Sequence, residues 1–370
     1  MLAFIINSPV LSSIAGFSLM VFLTSSRSMI ALTVGMALTA LLPKFAQAAS
    51  FDAAPRYQTF ASYSTTNPFN GDATDIYYPT LDGASAVDDL PIALMLQGAL
   101  VDKRFYSDYA SQVARYGFAV VVPNHFQTTP VFGNALLSNT SQPQAVLDQL
   151  VVENRTKDSP LNGKIDTGKL GLLGHSFGAA VGLSTIGEVC LPVQCTAPFE
   201  RPEALMAGAF FGANLRDSND VYFSIENDGV GVALIQGDRD GRALPFRAKL
   251  TYDQVQSPPK ALITLGGVNH FGITDVTMPE GAIPDPTAQT VEQTISIETT
   301  ARWSGLFLRG TLLNDEAALE YVLDTGAEQD PTVVSVDAEA VPEPSTWVSS
   351  VGVAIGLIWL CRRYQLPSKR

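Results

Sequence analysis

The stretch Lys169-Leu170-Gly171-Leu172-Leu173-Gly174-His175-Ser176-Phe177-Gly178-Ala179-Ala180-Val181-Gly182 decides how the chain is read. The five residues after Lys169 are an apolar run of strand length without alternation, as expected of a strand covered on both faces. The residues from Ala179 onward are small and suit a helix packed closely against its neighbours. Between them stands Gly174-His175-Ser176-Phe177-Gly178, a serine flanked at two residues' distance by glycine. A strand that runs into such a turn and leaves it as a helix has the form of a nucleophile elbow. The turn is strained, the serine hydroxyl stands clear at its tip, and the glycines remove side chains that would strike nearby backbone.

Outward from this point, short β-rich runs alternate with amphipathic segments, the pattern of parallel strands joined by crossover helices. The fold class is α/β. Strands are expected at Pro91 to Leu96, Phe118 to Pro123, Lys169 to Gly174, Ala204 to Phe211, Gly231 to Gln236 and Lys260 to Leu265. Helices are expected at Phe105 to Tyr116, at Pro143 to Asn154, and from about Gln293 to Leu312. Residues 126–141, rich in Thr, Ser, Asn, Pro and Gln, read as a long loop that could border a substrate. Residues 324–340 are acidic and aperiodic and read as a linker after a catalytic domain of residues 49–323.

A serine hydroxyl attacks only when a base takes its proton, and the chain has three histidines. His175 is the immediate neighbour of Ser176, and His125 follows an early strand. His270 lies beyond the last expected parallel strand, in Gly266-Gly267-Val268-Asn269-His270-Phe271-Gly272, and is the candidate base. His175 is left for packing or hydrogen bonding behind the site, and His125 for the wall of a pocket. An acid that orients the imidazole belongs on a loop between these elements. Gly231 to Gln236 runs into Gly237-Asp238-Arg239-Asp240-Gly241, so Asp240 is the leading candidate, with Asp238 as the alternative acid or a turn former. Two backbone N–H groups should face the developing oxyanion. Phe177 follows the nucleophile. Ala99 lies in the turn Gln97-Gly98-Ala99, where Gly98 permits the bend and Gln97 stands behind the donor.

Together these residues give the chain an α/β-hydrolase fold in expectation, and over roughly Asp75 to Asp275 it resembles the platelet-activating-factor acetylhydrolase, chlorophyllase and dienelactone-hydrolase-like group. The likeness is carried by the Gly98 turn, Tyr116-Gly117-Phe118-Ala119-Val120-Val121-Val122-Pro123, the elbow, and Asn269-His270-Phe271-Gly272-Ile273-Thr274-Asp275. It implies a mostly parallel sheet flanked by helices and serine-dependent ester cleavage without a cofactor. Two departures stand out. Gln97-Gly98 replaces the group's usual His-Gly, and Phe210-Phe211-Gly212-Ala213-Asn214 has no carboxylate where acetylhydrolase and chlorophyllase members carry their acid.

The net charge of −13 argues against nucleic acid or anionic lipid as a partner. Three cysteines without paired zinc-type spacing argue against a metal site. The two ends read as addresses. Met29 to Leu38 is an apolar run preceded by Arg27 and followed by Ala46-Gln47-Ala48-Ala49, the form of a signal peptide over residues 1–48, with Met20 or Met29 as alternative starts. A retained membrane helix is the competing reading, although the run falls short of the ~20 apolar residues needed to span a bilayer. At residues 341–370, Val341-Pro342-Glu343-Pro344 precedes an apolar stretch from Trp347 to Leu360 and then Arg362-Arg363. This segment resembles the sorting signal of exosortase substrates, the PEP-CTERM proteins. The expected processing partners are a signal peptidase and an exosortase-type enzyme, with a transient anchor in the membrane. Export also makes Cys190 and Cys195 candidates for a disulfide, two buried thiols being the alternative. The expected role is an exported esterase acting on a small-molecule or lipid-like ester at the cell envelope, surface or matrix. The competing role is a catalytically silent surface protein on the same fold.

Overall fold

The computed structural model describes residues 51–81 and 85–342, so the expected signal peptide and the apolar C-terminal stretch lie outside the described residues. The strands are β1 (Thr59–Thr66), β2 (Ala73–Leu81), β3 (Ser85–Ala86), β4 (Leu90–Leu96), β5 (Ala119–Asn124), β6 (Phe126–Thr129), β7 (Gly133–Leu136), β8 (Ile165–His175), β9 (Leu205–Phe211), β10 (Gly231–Gly237), β11 (Lys260–Leu265) and β12 (Val333–Glu339). The helices are α1 (Ser107–Ala114), α2 (Gln142–Glu153), α3 (Phe177–Ile186), α4 (Pro245–Tyr252), α5 (Gln293–Leu312), α6 (Glu316–Glu320) and α7 (Gly326–Gln329).

The main sheet runs β1-β2-β5-β4-β8-β9-β10-β11-β12, with β3 paired to β2. From β5 to β11 every neighbouring pair is parallel, and antiparallel strands flank this block, β2 and then β1 on one side and β12 on the other. Parallel strands need covering on both faces, and here they have it. Along β4, Ala93 and Met95 enter a core shared with α1 and α5, while Ile92, Leu94 and Leu96 enter a second core shared with α2, α3 and α4. Both sets are buried because the period-two alternation of the strand feeds two apolar layers at once. The chain has the α/β-hydrolase fold.

The expected strands and helices recur within a few residues, with three differences. The segment expected to be an acidic linker over residues 324–340 is structured. After α7, β12 pairs antiparallel with β11 from Leu265↔Val333 to Lys260↔Glu339. Val333, Val336 and Ala338 pack against the α5 side of the core, and the acidic side chains lie at more exposed positions, as suits an edge strand. Asp330 anchors the approach: it is buried, and its Oδ2 accepts from Trp303 Nε1 at 2.9 Å. The sheet therefore continues past residue 323. Secondly, residues 126–141 are not one loop, since β6 and β7 form an antiparallel hairpin. Thirdly, the start of the expected helix at Phe105 is a 3-10 turn (Lys103–Tyr106) that leads into α1.

Candidate active site

Strand β8 delivers Ser176 at φ 53° and ψ −114°, a sparsely populated conformation that costs an L-residue about 1–3 kcal/mol. The two glycines of the elbow are required by space. A Cβ on Gly178 would collide with the carbonyl oxygens of Leu96 and Gln97, and one on Gly174 would meet Ala179 Cα at 2.7 Å. Close approach lets α3 start directly under the end of β4.

Strand β11 ends at Leu265, and the following loop brings His270 back over the elbow. His270 Nε2 is 2.8 Å from Ser176 Oγ, and His270 Nδ1 is 2.8 Å from Asp240 Oδ2. With the ring proton on Nδ1, the imidazole donates to the carboxylate and accepts from the serine hydroxyl. Asp240 follows β10 and is 2% exposed. Its other oxygen accepts the backbone N–H groups of Arg242 at 2.8 Å and Ala243 at 2.6 Å, so both oxygens of the buried carboxyl group have partners. Asp238, the alternative acid, points away: it is exposed and its Oδ1 accepts from Gly267 N–H at 2.7 Å, pinning the turn after β11.

On the far side of Ser176, the turn after β4 carries Ala99. Neither Ala99 N–H nor Phe177 N–H has a hydrogen-bond acceptor among the described residues, and Ala99 lines the same cavity as Ser176 and His270. Gly98 is not at positive φ. Its role is to make room, since a Cβ there would meet His175 Nδ1 at 2.7 Å. The strained residue of the turn is Leu100, with φ 64°, whose N–H donates to Leu136 O at 2.8 Å. The β6–β7 hairpin thus braces the turn, but no residue of 126–141 lines the cavity.

The remaining sequence candidates have structural partners. His175 is fully buried behind the site, where burial, reinforced by neighbouring His270, holds its imidazole well below histidine's ordinary range and therefore neutral. His125 does not line the cavity. Its Nδ1 is 3.0 Å from both carboxylate oxygens of Asp72, and its backbone exchanges two hydrogen bonds with the buried Gln97 side chain. Cys190 and Cys195 form a disulfide beyond α3.

Sequence reasoning missed four residues. Asn214 and Arg242 line the cavity, and neither side chain type carried a motif to mark it. Asp285 sits between two prolines, and its carboxylate accepts backbone N–H groups from His270, Gly241 and Thr287. Tyr106 lies within the expected helix but turns its hydroxyl to Gly98 N–H and His175. No carboxylate follows β9. Instead Gly212, at φ 63°, presents its bare Cα face to the Asp240–His270 pair.

The cavity at Ser176 holds about 130 Å³. A larger one of about 730 Å³ lies between Asp52, Arg115, Arg302 and Tyr321, but it contains no nucleophile and base in contact, so chemistry assigns the site to the smaller. No group of residues suited to a metal ion occurs among the described residues, and no described helix is long and apolar enough to cross a membrane.

Residues 44–199 match the family model described as PETase, PET hydrolase-like, which covers less than half of the chain. No curated protein matches. The matched span includes Ser176 and the Ala99 turn and ends before Asp240 and His270.

Proposed function

We propose that this chain is a serine hydrolase of carboxylic esters, with Ser176 as nucleophile, His270 as general base and Asp240 as the acid that orients it. The observation that carries the reading is the continuous hydrogen-bonded series from Asp240 through His270 to Ser176. The PET hydrolase-like match supports an ester as the bond cleaved. Ser176 Oγ attacks the ester carbonyl carbon as its proton passes to His270 Nε2. The carbonyl oxygen gains the negative charge and is received by the N–H groups of Ala99 and Phe177. Collapse of the tetrahedral intermediate breaks the carbon–oxygen bond to the alcohol, which takes the proton from His270 as it leaves. Water then attacks the acyl-serine by the same route, releasing the carboxylic acid and restoring Ser176. Asp240 keeps its charge and stabilises the imidazolium formed twice per turnover. The substrate class is a small-molecule or lipid-like ester.

The same reading places the work outside the cytoplasm, after removal of residues 1–48 and with the segment 341–370 as a sorting signal handled by an exosortase-type enzyme. The apolar and charged order of the two ends supports it, and so does the Cys190–Cys195 disulfide, a bond favoured in oxidising compartments.

The test is labelling with a fluorophosphonate probe alongside hydrolysis of p-nitrophenyl butyrate. Wild type should label at one site and turn over, and Ser176→Ala should do neither while its thermal midpoint stays within a few degrees. Equal labelling of the variant would remove Ser176 from the role.

A further inference from the structure

The base, the nucleophile and the oxyanion turn stand on three separate loops, and a polar chain that none of the chemistry uses directly ties two of them together. Gly98 N–H donates to Tyr106 Oη at 2.9 Å. Tyr106 Oη lies 2.9 Å from His175 Nδ1, and His175 Nε2 lies 2.8 Å from the backbone oxygen of His270. Tyr106 and His175 are both 0% exposed, so no solvent competes for these bonds.

The chain has only one consistent direction. The carbonyl of His270 can only accept, so His175 Nε2 must carry the ring proton. A neutral His175 then offers Nδ1 as an acceptor, and Tyr106 O–H must donate to it. The tyrosine oxygen is left to accept from Gly98 N–H. A second proton on His175 would set a donor against the Tyr106 hydroxyl and place a buried cation with its ring centroid 4.8 Å from that of His270. The network is therefore fixed in one state whichever protonation state His270 passes through. Its fit is close as well: any side chain at position 98 would occupy the space of the His175 ring.

We infer that Tyr106 and His175 are positioning residues that set the span between the oxyanion turn at Gly98–Ala99 and the base His270, acting through the Gly98 N–H and the His270 carbonyl. The inference rests on the proposed roles of Ser176, His270 and Ala99. An oxyanion donor is useful only when it lies about 3 Å from where the charge develops, and a displacement of about 1 Å at such a group costs on the order of a hundredfold in rate. A cross-tie that reaches both loops through backbone atoms holds that span without entering the substrate's space.

The test compares Tyr106→Phe, His175→Gln and His175→Leu with wild type. It measures kcat and KM for p-nitrophenyl butyrate, the rate of fluorophosphonate acylation, the active-site titre and thermal unfolding. Tyr106→Phe keeps the ring and removes the link. It should lower kcat roughly tenfold to a hundredfold, leave KM within about twofold, and slow acylation by the same factor at an unchanged titre. His175→Gln can still accept from Tyr106 and donate to the His270 carbonyl, so it should retain clearly more kcat than His175→Leu. A purely structural role would instead reduce the titre and the thermal midpoint while leaving the rate per titrated site unchanged, and that result overturns the inference. So does a folded Tyr106→Phe with wild-type kcat or, should that variant not fold, equal kcat in the two His175 variants. Failure of wild type itself to label or hydrolyse ester would defeat the proposed function, a result distinct from any of these.

Discussion

His270 is held by Asp285 through its backbone as well as by Asp240 through its ring: the His270 N–H donates to Asp285 Oδ2 at 2.8 Å. The same carboxylate accepts Gly241 N–H, one residue beyond Asp240, and Thr287 N–H. One side chain thus clips the loop after β11 to the loop after β10. Asp285→Ala would leave these N–H groups without their acceptor, at about 1–3 kcal/mol for each that stays buried. The expected outcome is a lower thermal midpoint together with a kcat reduced about tenfold, checked by unfolding and by turnover on a p-nitrophenyl ester. Asp285→Asn keeps one carbonyl acceptor and should fall between the two.

Asp240 and Asp238 occupy alternate positions of one loop but do different things. In the proposed mechanism Asp240→Asn removes control of the His270 tautomer and the stabilisation of the imidazolium, an effect of up to ~10⁴ in turnover in the well-studied proteases. It should lose at least about a hundredfold in kcat with the fold intact. Asp238→Asn keeps an acceptor for Gly267 N–H and should lose under about tenfold. Kinetics of the two variants side by side settle the order.

Burial of a neutral His175 links stability to pH. Its folded-state pKa lies below the unfolded value, so the unfolded chain binds the extra proton first as pH falls. The stabilisation is full above the unfolded pKa, about 6.5, and is lost progressively below it towards the folded value. The slope from this one group is about 1.4 kcal/mol per pH unit. His175→Gln removes the titration, so its unfolding free energy, measured by urea titration, should decline less steeply below about pH 6 than that of wild type.

The edge strand offers a stability test of its own. Asp330→Ala strips the buried Trp303 Nε1–H of its acceptor and should cost about 1–3 kcal/mol by denaturant titration. Truncation after Ala340 keeps β12 and should leave stability unchanged, whereas truncation after Leu323 removes it and bares the β11 edge to pairing with other chains.

What could be read from the residues alone follows from the range of the forces involved. The elbow was legible because an apolar strand, two glycines and a small-residue helix are neighbours in sequence, and the parallel strands because burial on both faces leaves unbroken apolar runs. Asp240 and Asp238 could be narrowed to one loop but not separated, since the difference lies in which carboxylate meets an imidazole 30 residues away. Strand β12 was read as part of a linker because the segment 324–340 is acidic and aperiodic as a whole, and its pairing with β11 has no local signature. The hairpin β6–β7 was hidden for the same reason among Thr, Asn and Gly. Tyr106 and His175 are 69 residues apart, and nothing near either marks the other.

The parallel strands also set when the site comes into being. Ser176 and His270 are separated by 94 residues, and β9, β10 and β11 lie between them in the chain and continue the sheet outward from β8. Pairings of that range carry a large closure entropy and form slowly. A chain released from denaturant could recover helical signal from α3 and α5 well before it could be labelled at Ser176. Return of fluorophosphonate reactivity is therefore a clock for the docking of β11 and its loop, and the lag behind circular dichroism measures how long Ser176 waits for His270.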